Sequence, residues 1–297
     1  MRLAVPAAYR EMVEREGLEH FAVRPDLDIH DRAFAARIMD PVHGTDVTFG
    51  EVLLPSLHYT VEDLTDAVQG ADLLVTHPTS LAGPIVAEEQ GLPWASSVLA
   101  PMSFFSRFDP IVPAPAPWMH ALTSRSLAAS RLFHWQTERV TRKWADPVRD
   151  FRRSRGLPGG GNAILEGQHS PHLVLGLFSR VLGEPQPDWP EHVEVTGAVI
   201  YNGGGPGELP AALEAFLQDG HPPLVFTLGT SAVGSAGRFY EVSASVAVRL
   251  GRRAVLLAGR HPENRPDRVD ESRVFLADFA RHDALFPRAC AIERLLA

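Results

Sequence analysis

The residues best suited to chemistry lie between Leu224 and Ser231. There the apolar run Leu224-Val225-Phe226-Thr227-Leu228 breaks into Gly229-Thr230-Ser231, and a helical pattern resumes after Arg238. A strand that passes through a small hydroxyl-bearing turn into a helix leaves free backbone N–H groups and the positive end of the helix dipole facing the turn. That geometry suits an anion such as a phosphate. The match is one of chemistry and not of a sharp motif: no Lys follows Gly234-Ser235 as a phosphate loop demands, and no G-x-G-x-x-G occurs. The same residues also suit an ordinary strand-to-helix turn capped by Thr230 or Ser231.

Other candidate chemistries are weaker. His169 and His172 are three apart, but Pro171 breaks the helix that would align them as metal ligands, so no metal site is expected. The one cysteine, Cys290, has no partner for a zinc ribbon or an intramolecular disulfide. Gly234-Ser235-Ala236-Gly237 departs from the G-x-S-x-G spacing of a hydrolase nucleophile. Met102, Phe104, Phe105 and Phe108, with Trp118, are numerous enough to wall an apolar pocket, or to pack a core. Residues 121–155 carry nine Lys/Arg against three Asp/Glu in a chain whose net charge is −8. This stretch reads either as a solvated helix face or as a surface for an anionic membrane.

The elements that must position these residues follow from periodicity. Short apolar runs alternate with helical segments, the pattern of a parallel sheet covered by helices, and hence of an α/β fold. Strands are predicted at Arg2–Val5, Phe21–Val23, Asp72–Thr76 (buried), Trp94–Leu99, Leu173–Leu177 and Val193–Val195. Helices are predicted at Ala7–Glu16 and Leu81–Gln90, and a helical stripe runs through Phe133, Val140, Trp144, Val148 and Phe151. Beyond the glycine-rich Tyr201–Gly207 come a helix at Leu209–Leu217, strands at Leu224–Leu228, Ala254–Ala258 and Val274–Leu276, and a helix at Phe239–Leu250. With 297 residues and 45% hydrophobic content the chain can bury two cores. Its acidic balance argues against nucleic acid as a partner. The absence of a long apolar run, together with the single cysteine, makes a cytoplasmic location the default and any membrane contact peripheral.

Taken in order, several segments resemble a family. They are Ala4-Val5-Pro6 with Tyr9 to Val23; Asp72 to Trp94, including Val75-Thr76-His77-Pro78 and Val86-Ala87-Glu88; Val195-Thr196-Gly197; Val225 to Ala232; Arg252 to Leu257; and Ala284-Leu285-Phe286-Pro287-Arg288. The set is similar to nucleotide-sugar glycosyltransferases of the GT-B architecture, two Rossmann-like doubly wound domains, in the branch that glycosylates sterols, macrolides, glycopeptides and other lipophilic acceptors. The resemblance implies an acceptor-binding domain over 1–201, a linker over 202–207 and a partial nucleotide-sugar-binding domain over 208–297. It implies an inverting hexosyl transfer from a UDP-sugar to a hydroxyl of a lipophilic small molecule, with no cofactor and no required metal.

By the same resemblance Gly229, Thr230 and Ser231 are the donor-binding residues, Met102, Phe104, Phe105, Phe108 and Trp118 the acceptor-binding ones, and His77 the catalytic candidate. His77 falls where relatives often place an Asp that orients the base. It can serve as acid, base or acceptor contact, or as a turn histidine bonded to backbone. Relatives resemble one another in a first strand, a turn bearing the base, and a helix, all before the segment that here follows Met1. They also carry a donor loop beyond Ala289, where this chain reads Cys290 to Ala297 without an assigned strand. The expectation is therefore a first domain without its first βα unit, an incomplete second domain and impaired transfer. The alternative is a non-catalytic acceptor-binding or decayed relative, with a sugar-nucleotide epimerase as a third reading.

Overall fold

The computed structural model describes residues 1–27, 31–199, 201 and 209–295, apart from the side chains of Arg32, Thr230, Ser231, Arg294 and Leu295. In chain order its main elements are β1 (Arg2–Val5), α1 (Arg10–Arg15), β2 (Glu19–Ala22), α2 (Arg32–Ile38), α3 (Leu54–Ala67), β3 (Leu74–Thr76), α4 (Ala82–Gln90), β4 (Trp94–Val98), α5 (Met119–Thr123), α6 (Leu127–Ser154), β5 (Val174–Gly176) and β6 (Val193–Val195). They continue with α7 (Ala211–Gln218), β7 (Leu224–Leu228), α8 (Thr230–Val233), α9 (Phe239–Arg249), β8 (Ala254–Leu257), β9 (Val274–Ala277), α10 (His282–Leu285) and β10 (Ala291–Leu295).

The chain divides into two compact units, residues 1–28 with 41–199 and residues 29–40 with 200–297. The division falls beside the expected end of the first domain at 201. The expected linker, 202–207, lies outside the described residues.

In the first unit every strand pairing is parallel, as βαβ connections require. The strands form two sheets, β1-β2 and β3-β4-β5-β6, where the sequence pattern suggested one. Both rest on the same core: Ala4, Phe21 and Leu74 pack against a cluster that includes Leu57, Val61 and Leu64 of α3, Ile85 and Val86 of α4, and Trp144 and Val148 of α6. Burying a large side chain of this kind stabilises by about 1.5–3 kcal/mol.

The expected buried strand at 72–76 is shorter and more exposed than its apolar residues suggested: Leu73 and Val75 are 55% and 53% exposed. The reason is that β3 is an edge strand, with a neighbour on one side only. The helix α4 that follows closes on Gly91, whose φ of 59° is the left-handed conformation that ends helices cleanly. The long α6 starts at Ser126, whose Oγ accepts the Ala129 N–H at 3.3 Å.

In the second unit the sheet order is β10-β7-β8-β9, all parallel. Successive residues of its strands face opposite cores. Val225, Val255 and Leu257 pack with Leu213 and Leu217 of α7 and Leu285, while Phe226, Leu256 and Val274 pack with Tyr240, Ala244 and Ala247 of α9. A sheet buried on both faces is the doubly wound α/β arrangement. The sequence reading assigned no strand after Ala289, but residues 291–295 form β10 alongside β7. Glu293 and Arg294 interrupt the apolar pattern there, and an edge position tolerates them because only one neighbour has to be satisfied.

Candidate functional site

His77 leaves the C-terminal end of β3 and enters the turn before α4, the rim of a parallel sheet where ligands usually bind. Ser97 Oγ donates to the Thr76 carbonyl at 2.9 Å, tying the end of β3 to β4. Gly83 of α4 approaches so closely that a Cβ there would lie 2.4 Å from Thr76 Cγ2. The turn that presents His77 is thus clamped between a strand and a helix.

Within it, the Thr79 backbone N–H donates to His77 Nδ1 at 3.3 Å, and Thr79 Oγ1 lies 2.9 Å from the same nitrogen. A backbone N–H can only donate, so Nδ1 accepts and the neutral ring carries its proton on Nε2. Surrounding atoms strip enough water from the ring to lower its pKa from the usual histidine value, although the residue as a whole keeps contact with solvent. His77 therefore presents an Nε2–H donor at the sheet rim.

The acceptor candidates separate into two groups. Phe104 is 8% exposed; its ring centroid is 4.2 Å from that of Trp189, 5.3 Å from His169 and 6.3 Å from Phe178. Together with Phe105, whose φ of 48° is left-handed, it borders a cavity of about 580 Å³ that is completed by His134, Trp135, His169 and Trp189. Met102, Phe108 and Trp118 are 60%, 49% and 68% exposed and do not border this cavity.

The segment that carries Phe104 and Phe105 is held by a residue the sequence did not single out. Asp188 accepts Ser106 Oγ at 2.6 Å, the Arg107 N–H at 2.8 Å and Arg107 Nε at 3.2 Å. Ser106 Oγ in turn accepts the N–H groups of Phe108 and Asp109. Burial alone would raise the Asp188 pKa, but these hydrogen bonds outweigh it and hold the carboxyl below its ordinary value.

Burial pushes His169 down to about 4, against a weaker opposing bond to the Ser103 backbone, so the ring is neutral near pH 7. Its Nδ1 and the Trp189 Nε1 are buried without a hydrogen-bond partner among the described residues. No signal in the sequence joins Phe104 to His169 and Trp189, because they meet only when β4, β5 and β6 align.

At the turn expected to bind the donor, Gly229 stands between β7 and α8 with an ordinary φ of −63°, and its carbonyl accepts the N–H groups of Ala232 and Val233. A Cβ at Gly229 would meet nothing within 4 Å, so the space above the turn is open to the backbone. Thr230 and Ser231 open the single turn of α8, and their side chains lie outside the described residues. Among the described residues no group of three or more His, Cys, Asp or Glu is placed to hold a metal, and Cys290 is a free, exposed thiol.

No protein-family model matches the chain. It is 30% identical over 307 aligned residues to the O-mycaminosyltylonolide 6-deoxyallosyltransferase of Streptomyces fradiae, covering 98% of this chain and 67% of that protein. Among solved structures, the glycotransferase of kitacinnamycin superposes with a TM-score of 0.60 at 18% identity, over 99% of this chain and 67% of that one. The spinosyn rhamnosyltransferase SpnG complexed with spinosyn aglycone superposes with 0.57 at 17%, over 99% and 66%. The chain thus spans about two thirds of the length of each of them.

Two α/β units with all-parallel sheets match the GT-B architecture of these solved structures. The chain belongs to the GT-B nucleotide-sugar glycosyltransferases.

Proposed function

We propose that this chain takes part in transfer of a hexose from a nucleoside-diphosphate sugar to a hydroxyl of a lipophilic small molecule, with inversion at the anomeric carbon. The observation that carries the reading is the 30% identity to a macrolide deoxyallosyltransferase over nearly the whole chain. In the reaction the acceptor oxygen attacks the anomeric carbon as its proton passes to a base, and the bond from that carbon to the diphosphate breaks with its electron pair leaving on the diphosphate. Gly229, Thr230 and Ser231 are the residues assigned to the departing phosphates, for which backbone N–H groups at a strand-to-helix turn are suited. Phe104 and Phe105 are assigned to the acceptor wall. His77 is assigned as a hydrogen-bond donor to oxygen, since Thr79 occupies its Nδ1 lone pair. The donor nucleotide is uridine diphosphate by family resemblance; SpnG has also been solved complexed with thymidine diphosphate, which makes thymidine the competing base to test. The single free cysteine is consistent with a cytoplasmic setting.

A second reading, an acceptor-binding protein without transfer activity, draws support from the same His77 geometry: a ring whose Nδ1 is already engaged offers an acceptor hydroxyl no free base. The two are separated by incubating the full chain with a UDP- or TDP-hexose and a macrolide aglycone and weighing the products by mass spectrometry, with titration calorimetry of UDP and TDP alongside. A glycosylated product supports transfer. Aglycone binding without product supports the second reading, and no binding of nucleotide or aglycone overturns both.

A further inference from the structure

The face of α6 that points away from the core is not an ordinary solvated face. Ser130, Thr141, Trp144, Ala145 and Val148 are buried and set its inward side. Opposite them at helical spacing stand Leu132, Trp135 and Arg139, with Arg131 and Arg142 on the adjoining row. Leu132 is 61%, Trp135 52% and Val140 56% exposed. The shorter α5 packs on α6 and adds Leu122 at 57%, with Trp118 before it at 68%.

Between Trp118 and Lys143 there are five cationic residues and one carboxylate, Glu138, in a chain of net charge −8. Lys143 pairs with Asp46, but Arg125, Arg131, Arg139 and Arg142 form no ion pair among the described residues, and Arg139 lies 4.9 Å over the Trp135 ring. Exposed tryptophan and leucine surrounded by unpaired arginine is the composition of a surface that sits in the headgroup region of a bilayer, rings at the acyl boundary and guanidinium groups on phosphates. A water-facing helix would replace the apolar residues with polar ones. No described helix is long and apolar enough to cross a membrane, so contact of this kind is peripheral.

We propose that the outer face of α5 and the N-terminal half of α6 docks on an anionic phospholipid surface. Charge complementarity argues for that occupant: the unpaired arginines match a continuous layer of phosphates, and the interleaved Trp118, Leu122, Leu132 and Trp135 match the acyl boundary beneath it. Arg131 and Trp135 also border the cavity assigned to the acceptor, so the test reads vesicle binding and emission and not transfer.

The test is co-sedimentation of the full chain with phosphatidylglycerol–phosphatidylcholine vesicles and with pure phosphatidylcholine vesicles, with tryptophan emission recorded on the same samples. Binding is expected to the anionic vesicles only, with a blue shift of the emission and loss at high salt. Each arginine near such a surface is worth roughly a fivefold change in partitioning, so Arg131→Gln, Arg139→Gln and Arg142→Gln combined should weaken binding on the order of 100-fold. Leu132→Ser with Trp135→Ser should abolish the blue shift. A control with the same change of net charge, Arg180→Gln, Arg249→Gln and Arg252→Gln, should leave binding within about twofold, and circular dichroism shows whether each variant folds. No binding to anionic vesicles, equal binding to neutral ones, or equal loss in the control variant would overturn the proposal.

Discussion

Replacing Asp188 by Ala should both destabilise the first unit and loosen the wall of its aromatic cavity. The side chain is 9% exposed, and its loss strands the Ser106 hydroxyl, itself 3% exposed, and the Arg107 N–H. Hydrogen bonds to a charged group contribute about 1.5–3 kcal/mol each. The Arg107 guanidinium is about half exposed and is discounted as a screened contact. Two such bonds, one of them part-buried and one exposed, at the low end give a loss of about 3 kcal/mol at most.

Because Ser106 Oγ also caps the Phe108 and Asp109 N–H groups, Ser106→Ala and Asp188→Ala should not add; a coupling of about 1–2 kcal/mol is expected from a double-mutant cycle. All five tryptophans, at 94, 118, 135, 144 and 189, lie in the first unit, so tryptophan emission during urea unfolding reports that unit alone. The folded-state pKa of Asp188 is lowered, so its contribution is complete above the unfolded-state value near pH 4 and is lost as the pH falls through the folded-state pKa. A destabilisation below about 0.5 kcal/mol, or strict additivity with Ser106→Ala, would refute the reasoning.

Gly83→Ala would place a Cβ 2.4 Å from Thr76 Cγ2 and should cost about 1–3 kcal/mol despite better helix propensity; Thr76→Ser, which removes that methyl, should restore most of the loss in thermal unfolding. His169 should titrate near pH 4 by proton NMR. Since the unfolded chain takes up a proton there nearer pH 6.5, His169 contributes stability that is present above pH 6.5 and lost as the pH falls toward 4; His169→Gln should flatten that part of the pH dependence of unfolding. Nitrogen-15 NMR of His77 should show the Nε2–H tautomer, and Thr79→Pro, which deletes the donor N–H, should redistribute the proton between the ring nitrogens; an Nδ1–H ring in the native protein would remove the argument that His77 donates.

The parallel strands at 94–98, 224–228 and 254–257 were readable because strands buried on both faces are largely apolar runs bounded by Gly and Pro. The same rule misjudged Leu73 and Val75, which are apolar but exposed, and passed over β10, which carries charge. Both are edge strands, and edge position is a property of the sheet and not of the segment. The catalytic candidate was visible as a histidine following a strand, but not its tautomer, which depends on Thr79 closing the turn. Of the five acceptor candidates grouped by proximity in sequence, the fold brings two to the cavity and leaves Met102, Phe108 and Trp118 outside it.

From the chain alone come the α/β class, the strand-to-helix turn at Gly229 and the family, because each is written in local periodicity or in ordered short motifs. Tertiary structure alone decided which residues share a site. Phe104 meets His169 and Trp189 from more than sixty residues away in the chain, and Asp188 reaches back 82 residues to hold Ser106. Contacts at that separation are set by strand register and helix packing, and no local pattern of residues encodes them.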